Sequence, residues 1–236
     1  MNSLSLSYVA FLLLLAGCKR EPLSNTAEYD RMHGIINDGS TVNRIQLFTP
    51  RGNPGPHLQF PVGQGVSPYT LNDNKGRLVI QKGRAHQLKL MLELTPPAAG
   101  VSRHLNVVFV FLSAVESSPN PVQFVGLERQ RLAEAKFDVD FPEFGLRRYL
   151  EIHGQVPTGY IYTSLDSALK EPDGTPVFIT CQAIGSPQRR YRPGHCSRSF
   201  RIARQLAVSY QFDPAVLSRW HGLGEQIHRL ALNLLR

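Results

Sequence analysis

The sequence has little cysteine, tryptophan and methionine, and it has no long hydrophobic run. Its 236 residues include 3 cysteines, 1 tryptophan and 3 methionines. A fold held together mainly by disulfide bonds is therefore excluded. The apolar run from Tyr8 to Gly17 is half of the roughly 20 residues that a transmembrane helix needs. A chain of this length can bury a sizeable core without many cross-links, so we expect a globular protein.

The familiar catalytic motifs are also missing. The sequence contains no G-x-S-x-G, no H-E-x-x-H, no P-loop and no G-x-G-x-x-G, which are the patterns that position nucleophiles, metals or phosphates. Asp138 and Asp140 lie two residues apart in FDVDF, where they could bind a cation. More often such a pair is the solvated face of an edge strand. We therefore predict a protein that is not an enzyme and that uses no cofactor or metal.

The short N-terminal apolar run ends at a cysteine. Its length fits the h-region of a signal peptide, about 7–15 residues, and it closes with Leu15-Ala16-Gly17-Cys18. This tetrad resembles the lipobox of bacterial lipoproteins. The resemblance implies a signal peptide over residues 1–17, acylation of Cys18 and anchoring in a lipid bilayer. Residues 1–17 contain no Lys or Arg, which departs from the usual basic n-region, and a short buried segment ending in cysteine is the alternative.

The location of the anchor also follows from that resemblance. The family's sorting rule retains lipoproteins in the inner membrane when Asp follows the acylated cysteine, and here the next residue is Lys19. The resemblance thus implies an outer-membrane anchor, with the protein facing the periplasm. We expect residues 18–40 to be the lipidated N-terminus and a tether, since KREPLSNTAEYD is polar and without periodicity.

The charge balance is strongly basic. There are 26 Lys and Arg residues against 18 Asp and Glu residues, for a formal net charge of +8. In an exported protein such an excess favours anionic lipid headgroups, a polyanionic cell-surface layer or an acidic protein partner, and we expect no nucleic acid partner. A merely solvated basic surface is the alternative.

The remaining cysteines, Cys181 and Cys196, are expected to form a disulfide bond in an oxidising compartment. Between them lies a Gly/Pro/Arg-rich stretch that we predict to be a loop. The alternative is a nucleophilic Cys181 that uses His195 as its base, which would require a free thiol and a third, orienting group.

The rest of the chain favours β-structure. Residues 86–94 alternate between leucine and mostly polar residues, as in a half-buried strand. Residues 105–112 are apolar on both faces and predict a central strand covered on both sides. Residues 49–68 are rich in Pro and Gly, so they predict a long loop or an edge segment and not a helix. Further strands are predicted at residues 41–48, 78–81, 149–153, 159–163, 177–182, 199–203 and 206–212, with a weakly helical segment at 127–136.

A C-terminal helix completes the predicted fold. Asp213 is expected to be its N-cap, with Pro214 at its first position. Its apolar stripe would comprise Val216, Leu217, Trp220, Leu223, Ile227, Leu230 and Leu234. We predict an α+β fold, mostly antiparallel sheet with a C-terminal packing helix. The expected regions are a β-rich part at 41–150 and an α+β part at 151–236, which could together form one domain.

The densest charge cluster lies between the two cysteines and just beyond. The partner-binding residues that we predict are Arg189, Arg190, Arg192 and Arg198 from this cluster, together with Tyr160 and Tyr162 on a nearby strand. Arginine and tyrosine are the residue types that most often carry binding energy at protein interfaces.

The C-terminal third resembles a family of exported antitoxins. GYIYTSLDSALKEPDGTPVFITC, HCSRSF, LAVSYQF and DPAVLSRWHGLGEQI are similar to the end of the immunity lipoproteins that accompany type VI secretion effectors, which are often phospholipases. The resemblance implies that the protein binds a cognate toxin and occludes it. An envelope scaffold or assembly lipoprotein without catalytic activity is the first alternative. The second is a lipoprotein enzyme whose site is assembled from residues distant in sequence.

Overall fold

The fold is described by a computed structural model. The residues it describes are 26, 28, 36–37, 42–61, 66–69, 83–94, 107–116, 122–172, 174–186, 189–203 and 205–235. The predicted signal peptide, Cys18 and most of the tether lie outside these residues, as does the strand predicted at 78–81. Among the described residues, no helix combines the length and the apolar character that crossing a membrane would require.

Strands dominate the described part of the chain. They are β1 (Ile36–Asn37), β2 (Val42–Phe48), β3 (Pro54–Pro61), β4 (Val66–Tyr69), β5 (Arg84–Ala85), β6 (Gln87–Glu93), β7 (Val107–Ala114), β8 (Lys136–Phe141), β9 (Leu146–His153), β10 (Val156–Ser164), β11 (Phe178–Ser186), β12 (Arg189–Ala203) and β13 (Leu206–Phe212). The helices are α1 (Val122–Glu134) and α2 (Trp220–Leu234), with 3₁₀ segments at Pro142–Phe144 and Pro214–Arg219.

Two sheets organise these strands. In the described residues, the larger sheet has 9 strands in the order β4-β6-β7-β13-β12-β11-β10-β9-β8, and every neighbouring pair in it is antiparallel. The smaller sheet has 4 strands: β1, β2 and β3 in order, with β5 paired to β2. Strands from both predicted regions, 41–150 and 151–236, contribute to the larger sheet. The α+β prediction, with a mostly antiparallel sheet and a C-terminal helix, is confirmed.

One face of the larger sheet carries the main hydrophobic core. Helix α2 contacts β12 of the larger sheet and β3 of the smaller one, and β2 contacts β7. The buried cluster therefore joins residues of both sheets and of the helix. Helix α1 contacts β9 and lies on the opposite face of the larger sheet, where its Arg131 pairs with Glu151.

The alternation of β6 and β7 follows from this one-sided covering. Leu88 and Leu90 are buried whereas Met91 is exposed, as the sequence pattern predicted. The prediction that residues 105–112 are covered on both faces is wrong, because Phe109 is 36% exposed whereas Val108 and Val110 are fully buried. In this part of the sheet the smaller sheet and α2 cover a single face.

The C-terminal helix begins as predicted but in a tighter geometry. The Asp213 carboxylate accepts a hydrogen bond of 2.9 Å from the Ala215 amide, which satisfies one of the free N–H groups of the first turn. The 3₁₀ segment Pro214–Arg219 follows, and α2 begins at Trp220. The predicted apolar stripe is buried except for Leu230, which is partly buried against the core.

Two predicted loops are strands. Within residues 49–68, β3 pairs with β2 at the edge of the smaller sheet, so the edge-segment interpretation is confirmed there. The loop predicted between Cys181 and Cys196 is wrong, because most of it belongs to β11 and β12. These strands pair antiparallel as a hairpin, in which β11 ends at Ser186 and β12 begins at Arg189.

Candidate functional site

The hairpin of β11 and β12 extends beyond both neighbouring strands. In the described register, β10 pairs with β11 only as far as Gln182, and β13 pairs with β12 only as far as Cys196. Residues 183–186 and 189–195 continue past these points and pair with each other. We call these residues the basic arm. A two-stranded hairpin is only marginally stable on its own, so the arm depends on how its base is fixed.

A disulfide bond fixes that base. Cys181 and Cys196 are bonded and are direct cross-strand partners at the last position where β11 and β12 still belong to the sheet. The predicted disulfide is thus confirmed, and the alternative of a Cys181 nucleophile is wrong because its thiol is not free. The bond joins strands that are already hydrogen-bonded neighbours, so it restricts fraying of the arm at its attachment point.

The arm is exposed, basic and irregular. The side chains of Arg189, Arg190 and Arg192 are exposed, and Ile184 is 41% exposed beside them. Within the described part of the chain, none of these arginines lies in an ion pair. The register shifts twice along the arm, between Cys181 and Ala183 and again further out; such bulges increase strand twist. Bulges, proline and charge are devices that keep an exposed strand edge from pairing with other edges, so the arm presents its side chains rather than its backbone.

Arg198 differs from the other arginines of the predicted cluster. Its side chain is 7% exposed and forms a bidentate ion pair with Glu171, with N–O distances of 2.8 and 2.7 Å. It also donates hydrogen bonds to the Tyr210 hydroxyl and to the Trp220 carbonyl. A Cβ on Gly224 would overlap the guanidinium, so the glycine lets α2 lie directly over Arg198. Arg198 therefore has an internal role that joins β12, α2 and the segment before β11.

Burial and the surrounding polar partners shift the pKa values of Arg198 and Tyr210. Burial by itself lowers the pKa of Arg198, but the hydrogen bonds that Arg198 donates to Glu171 and the interactions with Tyr210 outweigh it and raise the pKa above its ordinary value. Burial raises the pKa of Tyr210 to about 12, opposed by the positive charge of Arg198. Both the guanidinium and the phenol thus keep their protons at neutral pH.

Tyr160 and Tyr162 also lie inside the molecule. They are 5% and 3% exposed and belong to the core cluster. The Arg148 guanidinium lies 5.1 Å from the centroid of the Tyr160 ring, and burial raises the pKa of Tyr162, which is hydrogen-bonded to Arg148. The structure therefore brings together Arg189, Arg190 and Arg192 but separates them from the predicted tyrosines. Contact of these tyrosines with a partner stays a prediction.

The aspartates of FDVDF have arginine partners. Arg147 donates two hydrogen bonds to Asp140, at 2.8 and 3.0 Å, and Arg148 donates one of 2.6 Å to Asp138. The hydrogen bond from Arg147 lowers the pKa of Asp140. These carboxylates are satisfied by neighbouring strand β9, in keeping with the edge-strand interpretation of the sequence.

Sequence reasoning did not find two features of this region. Glu171 belongs to the turn Glu-Pro-Asp-Gly, and its burial against Arg198 has no local signal because 27 residues separate the two. Ile184 lies two residues beyond the strand predicted at 177–182 and is exposed, because β11 at that point extends past the end of its pairing with β10. Neither the turn composition nor the strand pattern encodes where neighbouring strands end.

Comparison with known proteins adds one structural similarity. No family model matches the chain, and no curated protein matches it either. Among solved structures, the chain is similar to Smlt3025, described as an immunity protein of the Stenotrophomonas maltophilia type IV secretion system. The TM-score is 0.44 and the identity 15%, over 80% of this chain and 98% of the other. A similarity of this strength assigns neither a family nor a function to the chain.

Proposed function

We propose that the protein is a lipid-anchored immunity protein that binds and occludes a secreted toxin, with the basic arm as its main contact surface. The observation that carries the proposal is the arm itself: an exposed hairpin bearing Arg189, Arg190 and Arg192, fixed at its base by a disulfide bond. A preorganised element loses less conformational freedom on binding. Exposed arginines that form no ion pair with the described residues favour an acidic partner and accelerate its association.

The mechanism follows from the shape of the arm. A projecting hairpin can enter a concave surface such as the active-site cleft of an enzyme, where it excludes the substrate sterically. Ile184 supplies an apolar contact among the charges, as interface centres usually combine an anchor with a polar rim. In this proposal the protein is a binding module and not an enzyme. More specifically, we propose that the toxin is a type VI secretion effector and that it acts as a phospholipase.

The anchor is the second part of the proposal. Leu15-Ala16-Gly17-Cys18 supports acylation at Cys18 and an outer-membrane location facing the periplasm, where a membrane-active toxin would have to be intercepted. More than one acyl chain is needed for stable anchoring. Mass spectrometry of the mature N-terminus should find modified Cys18 and no residues 1–17. An unmodified chain that still carries Met1 would overturn this part.

Binding is tested with the purified product of the gene that lies next to the one encoding this chain, which in the proposal is the toxin. The triple variant Arg189→Glu, Arg190→Glu and Arg192→Glu should slow association about tenfold or more at low salt, with a smaller effect at high salt, because salt screens exposed charges. Its stability should change by less than about 0.5 kcal/mol per substitution, since all three side chains are exposed. Surface-immobilised kinetics over a range of ionic strengths gives both rate constants.

A matched control separates the arm from net charge. Arg51, Arg129 and Arg229 are exposed and lie outside the arm, so replacing them with glutamate changes the net charge equally. This control should retain most of the association rate. Equal slowing by both triple variants would show that only the overall field matters, and the arm would lose its assigned role.

Immunity itself is tested in cells. A strain without this gene should lose to its parent in mixed culture only while the parent delivers the neighbouring toxin. Equal competition under demonstrated delivery would reject the immunity function and favour the envelope-scaffold alternative.

A further inference from the structure

A polar groove lies at the base of the arm, on the sheet face that carries α1. Its volume is about 340 Å³, near the lower end of the roughly 300–1,000 Å³ typical of small-molecule sites. Residues from α1, β9, β10, β11, β12 and β13 line it. It is separate from the exposed arginines of the arm, none of which lines it.

The floor of the groove is formed by short polar side chains. Thr180 and Ser197 are register partners on β11 and β12, and their hydroxyl oxygens lie 2.9 Å apart. One hydroxyl donates to the other, so the pair retains one free O–H donor and several lone pairs. Gln182, His195 and Gln211 are exposed along the same groove, and each amide offers both a donor and an acceptor.

The wall on the α1 side is a fixed ion pair. Arg131 donates two hydrogen bonds of 2.9 Å to the carboxylate of Glu151, which holds both groups at the groove in a defined orientation. Gly159 leaves room for the Glu151 carboxylate in this position, since a Cβ at residue 159 would lie 2.5 Å from Glu151 Oε2 and the carboxylate would have to shift. The two formal charges cancel, so a fully ionised ligand gains little from this wall and would face the Glu151 carboxylate.

We infer that this groove is a binding site for a saccharide, independent of the toxin. Each sugar hydroxyl both donates and accepts a hydrogen bond, which matches a lining of amides, hydroxyls and a neutralised carboxylate–guanidinium pair. A carboxylate ligand would use only the donors of this lining and would leave its acceptors unpaired, which costs free energy when they are desolvated.

The test is a titration of the purified protein with N,N′,N″-triacetylchitotriose, followed by NMR. The side-chain amide signals of Gln182 and Gln211 should shift saturably. Ser197→Leu, which fills the floor of the groove, should weaken binding at least tenfold. Ser199→Leu is the matched control: it lies on the same face of β12, two residues away, and does not line the groove. It should bind like the unmodified protein.

Other outcomes would overturn the inference. A linear response to chitotriose, or saturable binding of sodium glutamate in its place, would show that the groove does not select a saccharide. Should Ser197→Leu not fold, the double variant Gln182→Ala and Gln211→Ala replaces it, because both side chains are exposed. Its binding is then read from the backbone amide signals of Thr180 and Ser197, which line the groove. Unaltered chitotriose affinity in that variant would also reject the site. Binding of the toxin is scored separately, so either result can fail without the other.

Discussion

Removing the Cys181–Cys196 bond should destabilise the protein and loosen the arm in particular. The double variant Cys181→Ala and Cys196→Ala keeps small apolar side chains at two buried positions and removes only the cross-link and the sulfur atoms. The two strands remain register partners in the sheet. We therefore expect the core to fold while the hairpin beyond position 182 frays more often.

The expected magnitude follows from the loop that the bond closes. The cysteines are 15 residues apart, and closing a loop of about 15 residues is worth about 3 kcal/mol in the chain-entropy model. For a domain of roughly 150–250 residues, each 1 kcal/mol shifts the melting temperature by about 2–4 °C. The double variant should thus melt about 6–12 °C lower.

Two measurements test this reasoning. Urea denaturation gives the free energy of unfolding, and hydrogen exchange read by mass spectrometry gives local opening. Peptides covering the arm should show the largest acceleration in the variant, because they lose the local cross-link as well. Peptides from α2 should accelerate only through the loss of global stability. The reduced unmodified protein is the control and should match the variant. A loss below about 1 kcal/mol, or equal acceleration throughout the chain, would refute the assignment of the bond to the base of the arm.

Two further predictions concern the buried polar cluster beneath α2. Glu171→Ala leaves the Arg198 charge buried and unpaired, so the free energy of unfolding should fall by about 3–5 kcal/mol. Glu171→Leu combined with Arg198→Met removes both charges and should restore much of that stability. A double variant less stable than the single one would contradict this reasoning. The Tyr210 pKa is raised to about 12 from about 10 in the unfolded chain, so its contribution to stability is complete below about pH 10 and disappears as the pH rises through about 12. Tyr210→Phe should remove that part of the alkaline stability loss, measured by urea denaturation at several pH values, and an unchanged profile would exclude Tyr210 as its source.

Much of the fold was predictable because its signals are local. Alternation of apolar and polar residues depends only on the two faces of a strand, and it located β6 and β13 closely. The Asp213-Pro214 pair likewise predicted the start of the C-terminal helical segment, since capping involves atoms a few residues apart. The disulfide was predicted from the cysteine count together with the expectation of an oxidising compartment, where two remaining cysteines have few other uses.

The tertiary structure decided where neighbouring strands end and which charges are buried. Arg192 and Arg198 lie in one basic stretch of sequence, yet Arg192 is exposed beyond the ends of β10 and β13 whereas Arg198 is covered by α2 and paired with Glu171. The segment between Cys181 and Cys196 predicted a loop because glycine, proline and arginine are rare in central strands. The prediction failed because a hairpin that extends past its neighbouring strands tolerates the same residues. Sequence alone thus located many of the strands, the C-terminal helix and the pair of cysteines. The arm, the groove and the buried ion pair depend on contacts between distant strands that no local pattern encodes.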